Sequence, residues 1–549
     1  MKLIFNYILY AILGIFAFQQ CTDSTTKKHY KGLVISQEQQ ASWIRNFNPL
    51  TPGGSARWPT SAGIYEPLMI YNSMKGEYIP WLAVKHEWNV RNDVLKLDIR
   101  KDVSWSDGAP FSGKDVVFTF NLLKEFPAFD VRALWSYLES VKLLNEYEVD
   151  FTFSSIYVPG LDAIVGQTIV PEHIWSKVED PIKYTNPNPV GTGPYTEILK
   201  FQKQVWELGK NPNYWQSGKP KVEQLTFPAF PTNVQATYAL INGEVDWAGN
   251  FIPAIDRIFV DKNPENHHYW FPRAGGSIFL YPNTTKKHLD NKAFRKAISY
   301  SIDRELIAKV AMYDYTVPAD ITALSEGMSR WRENKIRKEN WNIFSRDKAI
   351  SILDSLKYSF SKNKALYDNN EITFEIIVVS GWSDWIRAAQ IISRNLKDIG
   401  INASVRTYDF GTWFSKLQTG DFDLAIAWAE KGNTPYNLYR GLMSQKLVKP
   451  IGEVSALNWH RYGNADIDVL CQQYEKTSSQ SSIKDIIFKM QDIFIENLPA
   501  IPLFAEPSWG EYNTSRFTNF PNEQNPYAQL SPNNVPENLL VLIELEPVK

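Results

Sequence analysis

At 549 residues the chain is too long for one ordinary hydrophobic core and long enough for two or three. Apolar residues make up 44% and charged residues 21%, the balance of a globular protein in water, and a formal net charge of -2 leaves no basic excess for nucleic acid or an anionic membrane surface. With 19 Trp, 27 Tyr and 30 Phe, there are rings enough to fill the cores and also to line a site that stacks ligands.

From the start of the chain, Lys2 and the apolar run Leu3 to Phe18 read as a signal peptide over 1–20, because the run is short of the roughly 20 residues of a membrane span. Cys21 follows, then a polar tether over 21–29. A cysteine at this place resembles the lipobox of bacterial lipoproteins, which implies an exported chain anchored by an N-terminal lipid, in the periplasm or at the cell surface. Phe18-Gln19-Gln20 stands where small residues usually precede that cysteine, so an ordinary secretory peptide with an incidental Cys21 stays open. Cys471 is the only other cysteine; it sits in an apparent helix near Ile467 and Leu470 and reads as a buried small hydrophobe. One remaining thiol builds neither a disulfide nor a thiolate metal site.

Alternation of Leu95, Leu97 and Ile99, and of Tyr147, Val149, Phe151 and Phe153, predicts two half-buried strands. Between them Ser112-Gly-Lys-Asp115 is a capping box that opens a helix through Val116, Val117, Phe120 and Leu123. Ile372 to Val379 is a strand buried on both faces. Ser383 and Asp384 then offer caps to a helix with the core stripe Trp385, Ala388, Ile392, Leu396 and Ile399; Gly400 ends it, and Ile401, Ala403 and Val405 begin the next strand. Asp421 to Trp428 is another apolar strand. This β-α-β punctuation predicts a mainly parallel sheet within residues 285–500. Such sheets bind ligands beyond the carboxyl ends of their strands, which places Trp382 and Trp428 on the binding edge.

Catalytic and cofactor motifs find little support. Gly108-Ala-Pro-Phe-Ser-Gly113-Lys114 has the spacing of a phosphate-binding loop, but Asp115 stands where a magnesium-ligating hydroxyl belongs and is already used by the capping box. There is no His-Glu-x-x-His helix and no Gly-x-Ser-x-Gly elbow. His267 and His268 are adjacent and would face opposite sides of a strand. The expectation is a non-enzyme without cofactor or metal; a secreted hydrolase is the distant alternative.

Six segments together resemble the family 5 extracellular solute-binding proteins, the oligopeptide, dipeptide, nickel and oligosaccharide receptors of ABC importers. They are Tyr65-Glu-Pro-Leu68, Trp105-Ser-Asp-Gly-Ala-Pro-Phe111 with Asp115-Val-Val117, Gly191-Thr-Gly-Pro-Tyr195, Asn211-Pro-Asn-Tyr-Trp215, Ile241-Asn-Gly-Glu-Val-Asp246 and Phe294-Arg-Lys-Ala-Ile-Ser-Tyr-Ser-Ile-Asp303. We read the glycines of Gly191-Thr-Gly-Pro-Tyr195 as a turn needing φ > 0, and these segments as scaffold rather than site. The resemblance implies an α/β, two-lobe periplasmic-binding-protein fold of the type II, clam-shell kind. Lobe one would comprise 30–77, 191–283 and 505–549 with an inserted domain at 78–190, lobe two 284–504, and the hinge would lie at Tyr281-Pro-Asn283 and Leu503–Glu506. It also implies a monomer that binds an oligosaccharide or oligopeptide, delivers it to ABC importer permease subunits, meets the membrane only through its lipid anchor and binds no nucleic acid.

In peptide receptors of this family, the third residue after a Trp such as Trp428 is an Asp that holds the peptide ammonium. Here it is Lys431, beside Glu430, and a cation repels an ammonium unless Glu430 substitutes. Asn433-Thr-Pro-Tyr-Asn437 and Val379-Ser-Gly-Trp-Ser-Asp-Trp385 are more similar to members that take cello- and related oligosaccharides, which suggests a β-linked gluco- or xylo-oligomer. Sugar sites stack aromatic faces on pyranose C–H faces and pair hydroxyls with polar side chains. The candidate ligand-binding residues are therefore Trp58, Trp382, Trp413 and Trp428, with Arg57, Asn250, Asp384 and Glu430 as polar contacts. Trp413 matches a family position whose aromatic lines the cavity, and Asp384 reads equally as a helix cap. An oligopeptide receptor is the alternative.

Overall fold

The computed structural model describes residues 32–38, 44–51, 63–273, 276–335, 340–361 and 364–548. Its buried apolar side chains fall into two large cores. One is built from residues 278–504, and the other from residues 33–247 and 512–545, with a smaller cluster around Leu240, Ile252 and Phe259 beside it.

In the first half, Ala83–Trp88, Val94–Ile99, Glu148–Phe153 and Leu138–Asn145 form a four-stranded antiparallel sheet in that spatial order. Leu95, Leu97, Ile99, Val149, Phe151 and Phe153 are all buried, as their alternation requires. The helix Gly113–Glu125 covers this sheet. Ser112 accepts from the Lys114 N–H, and Asp115 accepts from the Ser112 N–H at 3.0 Å. A Cβ at Gly113 would lie 2.6 Å from Leu143 Cδ1, so close helix–sheet packing, not a phosphate, explains that glycine. Gly191 and Gly193 correct the expectation of positive φ: neither is left-handed. A Cβ there would lie 2.0 Å from the Ile64 carbonyl oxygen or 2.1 Å from that of Gly63, so backbone contact excludes every side chain. The family segments also bind one another. Glu66 accepts from Trp81 Nε1 at 2.7 Å, Tyr214 Oη at 3.0 Å and Trp215 Nε1 at 3.2 Å. Asp246 accepts from the Val34 N–H at 2.8 Å and pairs with Arg516, which ties both ends of the described chain together.

The second core surrounds a five-stranded sheet in the order Asn402–Tyr408, Thr373–Val379, Leu424–Ala427, Ser277–Pro282, Ile501–Ala505. The first three run parallel through helix crossovers. Ser277–Pro282 and Ile501–Ala505 are antiparallel additions, so the sheet is mixed rather than mainly parallel. The helix Ser383–Asp398 buries Trp385, Ala388, Ile392 and Leu396, and Gly400, at φ +81°, turns the chain into the next strand. Arg304 is buried and donates to the Pro502 and Ser299 carbonyls at 2.7 and 3.0 Å, fastening the last strand to a helix end. Cys471 is free and buried, and burial pushes its thiol up to about 12.

Candidate functional site

Between the two cores lies a cavity of about 700 Å³. The carboxyl ends of Thr373–Val379 and Leu424–Ala427 open onto it, and the residues that follow them, Trp382 and Trp428, form its wall with Trp385, Phe410, Phe414 and Trp459. The opposite wall comes from the other core: Gln37 and Glu38, Phe230 to Asn233, Gly249 to Phe251, and the segment Gln529 to Asn534. Glu506 to Trp509 close the end where the chain passes from one core to the other.

The aromatic wall is layered. Trp382 and Trp385 meet edge to face with centroids 4.8 Å apart. Trp413 is 0% exposed and does not reach the cavity, in contrast to the position its resemblance implied. Its helix Phe410–Thr419 turns Phe410, Trp413 and Leu417 inward as one stripe, and the Trp413 ring lies 5.4 Å from Trp428, 6.0 Å from Trp385 and 6.2 Å from Trp382. It supports the wall without forming its surface.

The other expected residues divide as follows. Trp382, Trp428, Asn250, Asp384 and Glu430 all line the cavity; Arg57, Trp58 and Cys21 lie outside the described residues. Asp384 does not occupy the cap position, which Trp382 takes without a side-chain bond. Burial pushes its carboxyl up to about 6 against the pull of the helix-start N–H groups, and Asn233 Nδ2 reaches it from the opposite wall at 3.5 Å. Asn250 donates its backbone N–H to Glu511 at 3.2 Å and its Nδ2 to Thr237 Oγ1 at 3.4 Å. The Thr237 hydroxyl already donates to the Asn233 carbonyl at 2.7 Å, so it only accepts from Asn250, which fixes that amide's orientation. Glu430 is half-buried, with its Oε2 enclosed and unpaired against Gly441; desolvation pushes its carboxyl up to about 7, opposed by Arg440 and Arg132. Lys431 lines the cavity but is paired with Glu506 at 2.8 Å.

Several lining residues escaped the sequence reading. Trp385 was assigned to a core stripe, and Trp459, Trp509, Phe230 and Phe251 lie in segments without periodicity. Glu38 ends a strand of only two residues, Gln37–Glu38; burial pushes its carboxyl up to about 8, although a bond from Trp382 opposes the shift. Applying the strand-end rule to the last strand, Ile501–Ala505, points toward Trp509.

A family model described as bacterial extracellular solute-binding proteins, family 5 Middle, matches residues 77–446. The chain belongs to that family. At 26% identity and a TM-score of 0.86, it is similar to the mannohexaose-bound periplasmic oligopeptide-binding protein of an oligopeptide ABC transporter from Thermotoga maritima, with 94% of this chain and 98% of that one covered. The nickel-binding periplasmic protein of Escherichia coli is 23% identical over 83% of this chain and 87% of its own. An oligopeptide-binding protein from Bacillus subtilis in complex with a nonapeptide shares the fold, with a TM-score of 0.80 at 18% identity and coverage of 94% and 99%. This family 5 chain is thus a solute-binding protein of the ABC-transporter class, a binding protein rather than an enzyme, with the two-lobe fold. Its relatives are exported proteins, and no helix among its own described residues is long and apolar enough to cross a membrane.

Proposed function

We propose that this family 5 protein is an importer receptor that captures a neutral oligosaccharide between its lobes. The observation that carries this reading is the composition of the two walls. Indole and phenyl faces dominate one side, amides and hydroxyls predominate on the other beside Phe230, Phe251 and Glu38, and Lys431 is neutralised by Glu506. Pyranose rings offer C–H faces to the first wall and hydroxyls to the second. The likeness to a mannohexaose-bound protein at 26% identity supports the same ligand class. The lobes in this reading are those of the sequence analysis, with the passages moved to just before Ile278 and to 505–509, because Ile278 to Tyr281 pack in the second core. Calorimetry of a panel of β-linked gluco-, xylo- and manno-oligomers against tri- to pentapeptides tests the proposal: micromolar sugar binding is expected, and micromolar binding confined to peptides would overturn it. The lipid anchor belongs to the proposal as well. Cys21→Ala is expected to release the chain from membranes into the soluble fraction, and unchanged membrane attachment would refute the anchor.

The second reading, a peptide receptor, is favoured by one feature. Glu430 presents a buried carboxyl with an unpaired oxygen next to the cavity, a place for an ammonium group to settle. The names of several relatives point the same way; among them is a putative peptide-binding protein from Brucella ovis, 25% identical over 74% of this chain and 75% of its own. Peptide affinity that Glu430→Gln removes would establish this reading over the first.

A further inference from the structure

Away from the cavity, residues 78–190 make a second contact with the 284–504 region. Val158, half-buried, packs against the hydrophobic core of residues 278–504. Its N–H donates to the Glu475 carbonyl at 2.8 Å. Glu475 is the last residue of the helix Ala465–Glu475, so this carbonyl has no acceptor role within its own helix. The Glu475 carboxylate accepts the Tyr436 hydroxyl at 2.6 Å and, from the other side, the Tyr137 hydroxyl at 3.3 Å. Tyr137 stacks on Tyr157 at 3.9 Å, immediately before Val158. Nearby, Asn433 Nδ2 donates to Tyr78 Oη at 3.4 Å. None of these residues lines the cavity, so none of these contacts needs a ligand.

We propose that residues 154–160 form a latch that clips the 78–190 region onto lobe two at Glu475 and holds the cleft closed in the free protein. The proposal rests on the two-lobe reading above. A half-buried aliphatic contact, a backbone hydrogen bond at a helix end and a tyrosine–carboxylate bond each favour the closed form, and opening the cleft returns all three to water. With no ligand contributing, the closed population then depends on these contacts, and the 78–190 region acquires a role in closure although it lines no part of the cavity.

The test uses the full chain without ligand, in solution scattering and in hydrogen exchange of the 154–160 segment. Val158→Asp places a charge against the lobe-two core; it is expected to enlarge the radius of gyration and to speed exchange in 154–160 at least tenfold. Tyr137→Phe removes only one hydrogen bond and is expected to speed exchange two- to fivefold while the melting temperature stays within a few degrees, which separates loss of the latch from loss of the fold. The latch is overturned if Val158→Asp changes neither quantity while Gly381→Ala, a substitution on the opposite flank of the cleft, widens the particle. It is equally overturned if the free wild type is already as wide as Val158→Asp. Failure of the two-lobe reading looks different: neither substitution nor any solute of the panel changes the dimensions at all.

Discussion

The wall built by residues 382–459 is a sheet-edge surface of aromatic rings backed by further rings, whereas the facing wall, from residues 36–38, 230–251 and 529–534, is made mostly of amides, hydroxyls and one carboxyl at strand and helix ends. The first is fixed by close packing before any ligand arrives. In the second, Thr237 holds one end of the Asn250 amide at 3.4 Å, while Asn250 Oδ1 and Gln37 Nε2 are buried without a partner. Affinity from the first wall therefore comes from area and stacking, and discrimination from the second comes from matching hydrogen bonds. The largest expected effect of a substitution then depends on which layer of which wall it removes.

Trp413→Ala removes a fully buried indole from behind the aromatic wall and is expected to cost about 3–5 kcal/mol of folding stability, read by denaturant unfolding. Gly381→Ala comes next. At φ +90°, with its would-be Cβ 2.5 Å from the Pro231 carbonyl oxygen on the facing lobe, Gly381 is where the two walls touch. Any side chain strains the backbone and pushes the lobes apart, so ligand affinity is expected to fall at least about tenfold with diminished compaction in scattering. Trp428→Ala removes a half-buried ring of the wall surface that packs on Trp382, Trp413 and Trp459: stability is expected to fall by less than in Trp413→Ala, and affinity to fall about tenfold in calorimetry, one stacked ring being worth on the order of 1 kcal/mol beyond its area. Trp413→Ala and Trp428→Ala giving the same result in both measurements would erase the distinction between support and surface.

The sequence made the supporting layers far more legible than the site. Alternation at 94–99 and 148–153, the capping box at Ser112 and the crossover from Thr373–Val379 to Asn402–Tyr408 all report local backbone periodicity, and all three are present. The strand-end rule placed Trp382 and Trp428 at the cavity for the same reason. Extended to Ile501–Ala505 it also points toward Trp509, but it has nothing to say about Trp459 or Asn533, which loops and long-range pairings bring to the wall. Trp385 and Trp413 show the limit of periodicity itself. Each occupies the apolar stripe of its helix, yet Trp385 reaches the cavity while Trp413 lies behind Phe410 of its own stripe, a difference set by what packs opposite. The boundary of the proposed lobes moves for a related reason: Ser277–Pro282, which the resemblance assigns to the first lobe, pairs with Leu424–Ala427 and Ile501–Ala505.

The one carboxyl of the polar wall, Glu38, provides a pH dependence of a few fold. Glu38 is pushed from an ordinary 4.5 up to about 8 by burial in the closed cleft, so the closed form holds a proton that an open or unfolded form releases. Stability of the closed form therefore falls as pH rises from about 4.5 and is fully lost from this source above about 8. His460, pushed by burial down to about 3, acts in the opposite direction below 6.5, which leaves the interval between about 6.5 and 8 as the informative one. Ligand affinity is expected to weaken across that interval in the wild type and to vary less in Glu38→Gln, as measured by calorimetry at matched ionic strength. An unchanged slope in Glu38→Gln would assign the dependence to another group, with Glu430, pushed up to about 7, next in line.

The smallest expected effect is that of salt, and it bears most directly on what the site takes. By the family resemblance Lys431 stands where peptide receptors carry an ammonium-binding Asp, and its own charge is matched by Glu506 at 2.8 Å. Glu506 also accepts the Gly276 N–H at 3.2 Å, so this carboxylate is bound into the passage between lobes and is not free to leave the lysine for a ligand. A neutral oligosaccharide entering such a site forms no ion pair for dissolved ions to screen. Its affinity is expected to change by less than about twofold between roughly 50 and 500 mM salt, a range over which the Debye length shrinks about threefold. A charged peptide settling on Glu430 would instead lose affinity severalfold over the same range, and the loss would vanish with Glu430→Gln. A steep salt dependence of the tightest ligand in the panel would thus transfer the discriminating role from the amides of the polar wall to that one buried carboxyl.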